Sequence, residues 1–125
     1  MRVILASKSP ARLHVLRHAG LEPEVIVSGY DESQIVDPVP TSLAARLAEA
    51  KGATVVPQLE GDFVLFACDS VLEFEGRAHG KPGSEAAAIE RWQRMRGHEG
   101  LLHTGHYVSV HQGERYSEQT RVGST

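Results

Sequence analysis

The stretch Val3-Ile4-Leu5-Ala6-Ser7-Lys8-Ser9-Pro10-Ala11-Arg12-Leu13, running on to Gly20, decides how this 125-residue chain is read. Val3–Ala6 is a short, β-branched, nearly continuous apolar run, the pattern of a buried strand. Ser9 then stands where a helix N-cap belongs and Pro10 where a first helical residue belongs. Leu13 and Leu16, with Val15 and Ala19, supply an apolar stripe, and Gly20 suits a C-terminal cap. A strand that turns sharply into a helix leaves free backbone N–H groups at the positive end of the helix dipole. With two hydroxyls and the cations Lys8 and Arg12 beside them, that is the chemistry of an anion site.

The rest of the chain extends this unit into an alternating α/β pattern. Pro23–Ser28 reads as a second strand, and Gly29–Pro40 as a polar loop carrying the acidic pair Asp31-Glu32. Thr41 or Ser42 would cap a helix to about Ala53, with Leu43, Ala44, Leu47 and Ala50 on one face. Asp62–Cys68 is the most apolar segment and the expected central strand; Val71–Phe74 continues it to a turn at Glu75-Gly76. His79-Gly80-Lys81-Pro82-Gly83 reads as a rigid loop. Ser84 would cap a third helix ending at Gly97, with Ala88, Ile89, Trp92 and Met95 as core. Leu101–Val110, a Gln112-Gly113 turn and Arg115–Val122 form a final hairpin. The order β-α-β-α-β-β-α-β-β predicts one α/β domain over 1–125, a mixed sheet flanked by helices.

Composition narrows the function. A formal net charge of −3 argues against a general grip on a nucleic acid polymer, so any polyanion must be small and held locally. One cysteine excludes an internal disulfide and fits a reducing compartment. The opening apolar run is too short for a signal-peptide core, and no run is long enough to cross a bilayer, so the expectation is a cytoplasmic protein without membrane contact.

Several clusters could carry chemistry. Asp69 follows the most apolar strand, where a carboxylate is costly to bury unless it is paired or metal-bound, and ends of central strands are where α/β folds place reactive groups. Gly80-Lys81-Pro82 holds a lysine between two residues that stiffen the backbone. Lys51 lies near the end of an Ala-rich helix. Each has an ordinary alternative: a capped surface helix, a solvated acidic pair, a turn, a surface lysine. Jointly, Arg12, Lys51 and Lys81 with Glu32 and Asp69 form a coherent set, in which acids hold a divalent metal and cations take phosphates. His103 and His106 share a His-x-x-His spacing, but a strand sends such residues to opposite faces, which argues against zinc. Cys68 reads as inert packing.

In this order the clusters resemble the Maf family of nucleotide pyrophosphatases, relatives by fold of the inosine triphosphate pyrophosphatases. The resemblance is carried by Ile4–Arg12, Val27-Ser28-Gly29-Tyr30-Asp31-Glu32, Leu47-Ala48-Glu49-Ala50-Lys51, Cys68-Asp69-Ser70-Val71, Gly80-Lys81-Pro82 and Thr104-Gly105. It implies hydrolysis of a nucleoside triphosphate between its α- and β-phosphates, dependent on Mg²⁺ or another divalent metal. Asp69 would be the catalytic base or metal-held carboxylate, and Glu32 would help hold the metal. Ser7, Ser9, Arg12, Lys51 and Lys81 would bind the triphosphate. Clearance of non-standard or excess nucleotides, a link to septum formation and a homodimer are further implications. The alternative is a non-catalytic nucleotide-binding module linked to cell division. Two departures stand out: Ala11 replaces the first of two arginines usual in the family, and family members run several dozen residues further. The 125 residues alone are therefore expected to be weakly active or inactive. No residue selects between pyrimidine and methylated guanine bases.

Overall fold

The computed structural model describes residues 1–7, 9–79, 85–95 and 100–125. Its order is β1 (Arg2–Leu5), α1 (Pro10–His18), β2 (Glu24–Val25), α2 (Pro40–Val55), β3 (Phe63–Phe74), β4 (Arg77–His79), α3 (Glu85–Met95), β5 (Leu101–Gln112) and β6 (Arg115–Ser124), with 3₁₀ turns at Glu32–Gln34 and Val56–Gln58. One mixed sheet runs β2-β1-β3-β5-β6, with β4 also paired to β3. β1 is parallel to β2 and β3, whereas β3-β5, β5-β6 and β3-β4 are antiparallel. Among the described residues, no helix is long and apolar enough to cross a membrane.

The chain leaves β1 to one side through α1 and returns across it to β3 through α2. Right-handed crossovers in opposite directions put the two helices on opposite faces of the sheet. On the α2 face, Ala44, Leu47, Ala48, Gly52 and Val55 repeat at helical spacing and are all buried. Ala48 and Val55 pack with Ile4, Ala6, Phe63, Leu65, Ala67 and Tyr107. Two glycines allow this close approach. A Cβ on Gly52 would overlap the Tyr107 ring, and one on Gly105 would overlap the backbone carbonyl of Ala44.

β3 is the axis of the site. Its first residues pair with β1 as far as Leu5↔Phe66, and its last pair with β4 from Leu72↔His79. Between them, among the described residues, Ala67–Val71 has β5 on one edge and no strand on the other. Asp69 lies in the middle of that gap.

Several expectations need correction. α1 buries none of its residues: Leu13 and Leu16 are half-buried, Ala19 is exposed and Val15 is 55% exposed. Periodicity identifies an apolar face but not whether anything covers it. Gly20 does terminate α1, with φ of 87° and a reversed hydrogen-bond pair, its own N–H to Arg17 and that of Leu21 to Leu16. α2 is capped at Val39 rather than Thr41 or Ser42, and extends to Val55. Asp37 explains the shift: it accepts from the Val39 N–H at 2.9 Å and the Ser42 hydroxyl at 2.5 Å, so Ser42 is already engaged. Val3–Ala6 moves to Arg2–Leu5, and Pro23–Ser28 shrinks to two paired residues. The two segments about Asp69 are one strand, and His79, expected in a loop, ends the short strand Arg77–His79. Glu75 and Gly76, with φ of 56° and 73°, make the turn before it. The last turn is Gly113-Glu114, one residue late. Ile89 and Trp92, expected in the core, are 51% and 63% exposed. Ser84 and Gly97, the expected helix ends, lie outside the described residues.

Candidate active site

Ser7, Ser9, Arg12, Glu32, Lys51 and Asp69 all line one cleft of about 610 Å³, joined by Cys68 and Ser70. It opens beyond the carboxyl ends of β1 and β2, where successive crossovers diverge and α/β sheets leave a crevice. Lys81 and Lys8 lie outside the described residues.

On one wall, the Ser9 side chain accepts from the Arg12 N–H at 3.4 Å, and Ser7 accepts from the Ser9 N–H at 3.1 Å. Both hydroxyls thus organise the turn as well as facing the cleft. The wall is the N-terminus of α1, without an acidic residue in its first turn to compete for an anion.

The acidic pair divides its work. Asp31 turns inward, accepting from the Ser33 N–H at 3.0 Å and the Ser33 hydroxyl at 2.6 Å, with Gln34 at 3.4 Å. The Ser33 hydroxyl, then its N–H and the Gln34 amide, hold the Asp31 carboxyl below its ordinary range. That turn delivers Glu32 to Lys51, with Glu32 Oε1 2.9 Å from Lys51 Nζ.

Lys51 Nζ is also 2.9 Å from Asp69 Oδ2, with the lysine side chain 16% and the aspartate 7% exposed. Burial works against the ammonium, but the Glu32 and Asp69 carboxylates outweigh it and raise its pKa above the ordinary 10.5. The other Asp69 oxygen accepts from the Ser70 N–H at 2.8 Å. Oδ2 is buried, with Lys51 Nζ as its ion-pair partner. Lys51 reaches this position because it falls four residues after Leu47 and seven after Ala44, on the stripe α2 buries.

Opposite Asp69 on β5 stands Gly105, and opposite Ser70 stands Thr104, whose hydroxyl lies 3.0 Å from that of Ser70. His106 is on the other face, where burial and then the Arg12 guanidinium hold its pKa below the ordinary 6.5. Cys68 Sγ sits 3.9 Å from Ser7 Oγ and is buried, as packing would require. Val15, Val27, Ser28, Gly29 and Tyr30 also line it. They were not singled out individually as site residues from sequence, although residues after the parallel β2 share the crevice that follows β1.

Similarity to known proteins agrees with this arrangement. A family profile described as Maf-like protein matches residues 2–125. The chain belongs to the Maf family. A Streptomyces avermitilis protein named nucleoside triphosphate pyrophosphatase is 50% identical over 121 residues, covering 95% of this chain and 58% of that protein. One of the same name from Streptomyces coelicolor is 52% identical over 109 residues, covering 86% of this chain and 52% of its own length. This Maf chain thus spans somewhat more than half the length of these relatives. Among solved structures, the Ham1 protein of Staphylococcus aureus matches with a TM-score of 0.54 at 16% identity, over 99% of this chain and 69% of that one. A HAM1 protein from Coxiella burnetii matches at 0.52 and 15%, over 99% and 71%. At that identity the likeness is one of fold, and it extends across the mixed sheet of this Maf chain.

Glu32 and Asp69 offer hard oxygen donors, and the ammonium between them is a cation already seated on the pair. Among the described residues no group of three or more His, Cys, Asp or Glu converges to hold a metal ion. Two carboxylates are a donor set that would suit Mg²⁺, which takes one or two protein carboxylates and completes its shell with water and phosphate.

Proposed function

We infer that this chain carries the catalytic residues of a metal-dependent nucleoside triphosphate pyrophosphatase, which splits the α–β phosphate bond to give the monophosphate and pyrophosphate. One observation carries this reading: a buried carboxylate, Asp69, shares a lysine with Glu32 in the cleft that also contains the N-terminus of α1. The names of the relatives support the reaction class.

The α1 N-terminus, Ser7, Ser9 and Arg12 bind and orient the triphosphate, joined by Lys81. Asp69, with Oδ1 fixed by the Ser70 N–H, keeps its orientation and takes the proton of the attacking water. Glu32 and Asp69 would hold Mg²⁺, whose chemistry is to neutralise phosphate charge and acidify water. Lys51 offsets the negative charge that develops during transfer. The same reading includes a cytoplasmic setting and a homodimer.

The test is pyrophosphate release with Mg²⁺ from a panel of standard, methylated-guanine and pyrimidine triphosphates, using this chain and a version of the relatives' length. Asp69→Asn is expected to lower release by roughly 10³-fold while leaving nucleotide binding largely intact. Unchanged release would remove Asp69 from the base role. Nucleotide binding without release by either version would favour a non-catalytic module, in which a cell-division role would rest on binding alone.

A further inference from the structure

We propose that Lys51 and the divalent cation occupy the Glu32–Asp69 pair by turns, so that the lysine closes the metal site in the free protein and leaves it for the triphosphate when the metal enters. The proposal rests on reading Glu32 and Asp69 as metal ligands.

Asp69 Oδ1 faces the Ser70 N–H, so the enclosed Oδ2 is the oxygen available to a cation, and Lys51 Nζ stands 2.9 Å from it. The same nitrogen is 2.9 Å from Glu32 Oε1. Mg²⁺ held by both carboxylates would take the position between them from which the ammonium now contacts each. Both are cations, so they cannot share it.

α2 is fixed by its buried stripe, and movement is left to the lysine's flexible four-carbon stem. With metal alone, the displaced ammonium loses both carboxylates and gains no anion. With phosphate at the α1 N-terminus, it exchanges one pair of anions for another. Metal and phosphate binding are therefore positively coupled through one side chain, and each raises the affinity for the other by the same factor.

The experiment measures Mn²⁺ binding to the 125-residue chain by electron paramagnetic resonance, with no nucleotide present. Lys51→Gln is expected to tighten Mn²⁺ binding about tenfold or more. Arg12→Gln removes an equal charge from the same cleft without touching the carboxylate pair, and is expected to change it less than about threefold. Equal affinity in Lys51→Gln and the unmutated chain, or an equal gain in Arg12→Gln, overturns the exchange. If Asp69→Asn abolishes binding in either of those cases, the metal reading survives without it. Binding that persists in the Asp69→Asn, Glu32→Gln double variant places the ion elsewhere and removes both. Should Lys51→Gln not fold, the ¹⁵Nζ signal of Lys51 in the unmutated chain decides. It should shift and broaden as Mg²⁺ saturates the site, and an unmoved signal at saturation overturns the proposal.

Discussion

α1 and α2 begin alike, each with a proline in its first turn after a parallel strand, yet they do different jobs. α2 buries Pro40, Ala44, Leu47, Ala48, Gly52 and Val55, while α1 buries nothing. The helix that contributes one lysine to the site is embedded in the core. The helix whose open end faces the cleft rests lightly on the structure. The lysine that contacts both carboxylates rides on the packed element. The wall at the start of α1 presents backbone N–H groups that a capped turn positions, with only partly buried side chains behind it.

Gly105→Ala should break this contrast most severely. Its Cβ would meet backbone of α2, which cannot rotate away, and we expect a loss of about 3 kcal/mol in urea unfolding. A loss below about 1 kcal/mol would show that α2 is not seated as tightly as described.

Lys51→Met comes next. Removing one partner of a mostly buried pair costs several kcal/mol, but Glu32 is 43% exposed and water offsets part of it; about 2 kcal/mol is expected. The pH dependence has a definite sign. The folded pKa of Lys51 lies above the ordinary 10.5, so its stabilisation is complete below pH 10.5 and is lost as pH rises through the folded value. The gap between the unmutated chain and Lys51→Met should therefore be flat through neutral pH and close only in strong alkali. A gap that closes on acidification toward pH 6 would contradict this.

On the α1 side the effects are smaller. Arg12→Gln should raise the His106 midpoint in an NMR titration, because burial and the guanidinium both hold it down. With its folded pKa lowered, His106 weakens the fold as pH drops below 6.5, and the variant should soften that fall. An unmoved midpoint would mean that Arg12 does not act on His106. Val15→Ala is the smallest. Being 55% exposed, it should change stability by less than about 0.5 kcal/mol, and a larger loss would show that α1 is anchored after all.

What could be read in the residues beforehand follows the same division. The start of α1 at Ser9-Pro10, the turn at Glu75-Gly76 and the centrality of the Asp69 strand are local signals, and each is found where expected. The convergence of Ser7, Arg12, Glu32, Lys51 and Asp69 was read from their order and resemblance, and the cleft brings them together. Facts that depend on a neighbour were illegible. Trp92 has helical spacing with Ile89 and Met95, but spacing cannot tell a covered face from an exposed one. Ser42 looks like a cap until Asp37 engages its hydroxyl. The burial of Lys51 was available, because the residue sits on the Ala44-Leu47-Ala48 stripe; its charge disguised it as surface.

Gly105 has one more consequence. It is the pairing partner of Asp69 on the neighbouring strand β5, so on that side the buried carboxylate has a bare backbone for a neighbour. The absent side chain lets the Lys51 helix settle onto the sheet, and the space it vacates is filled by the Ala44–Ala45 backbone of that helix. The seating of the helix and the approach of Lys51 to Asp69 therefore depend on one position. A designer seeking to loosen the pocket there would have no route that left the scaffold intact.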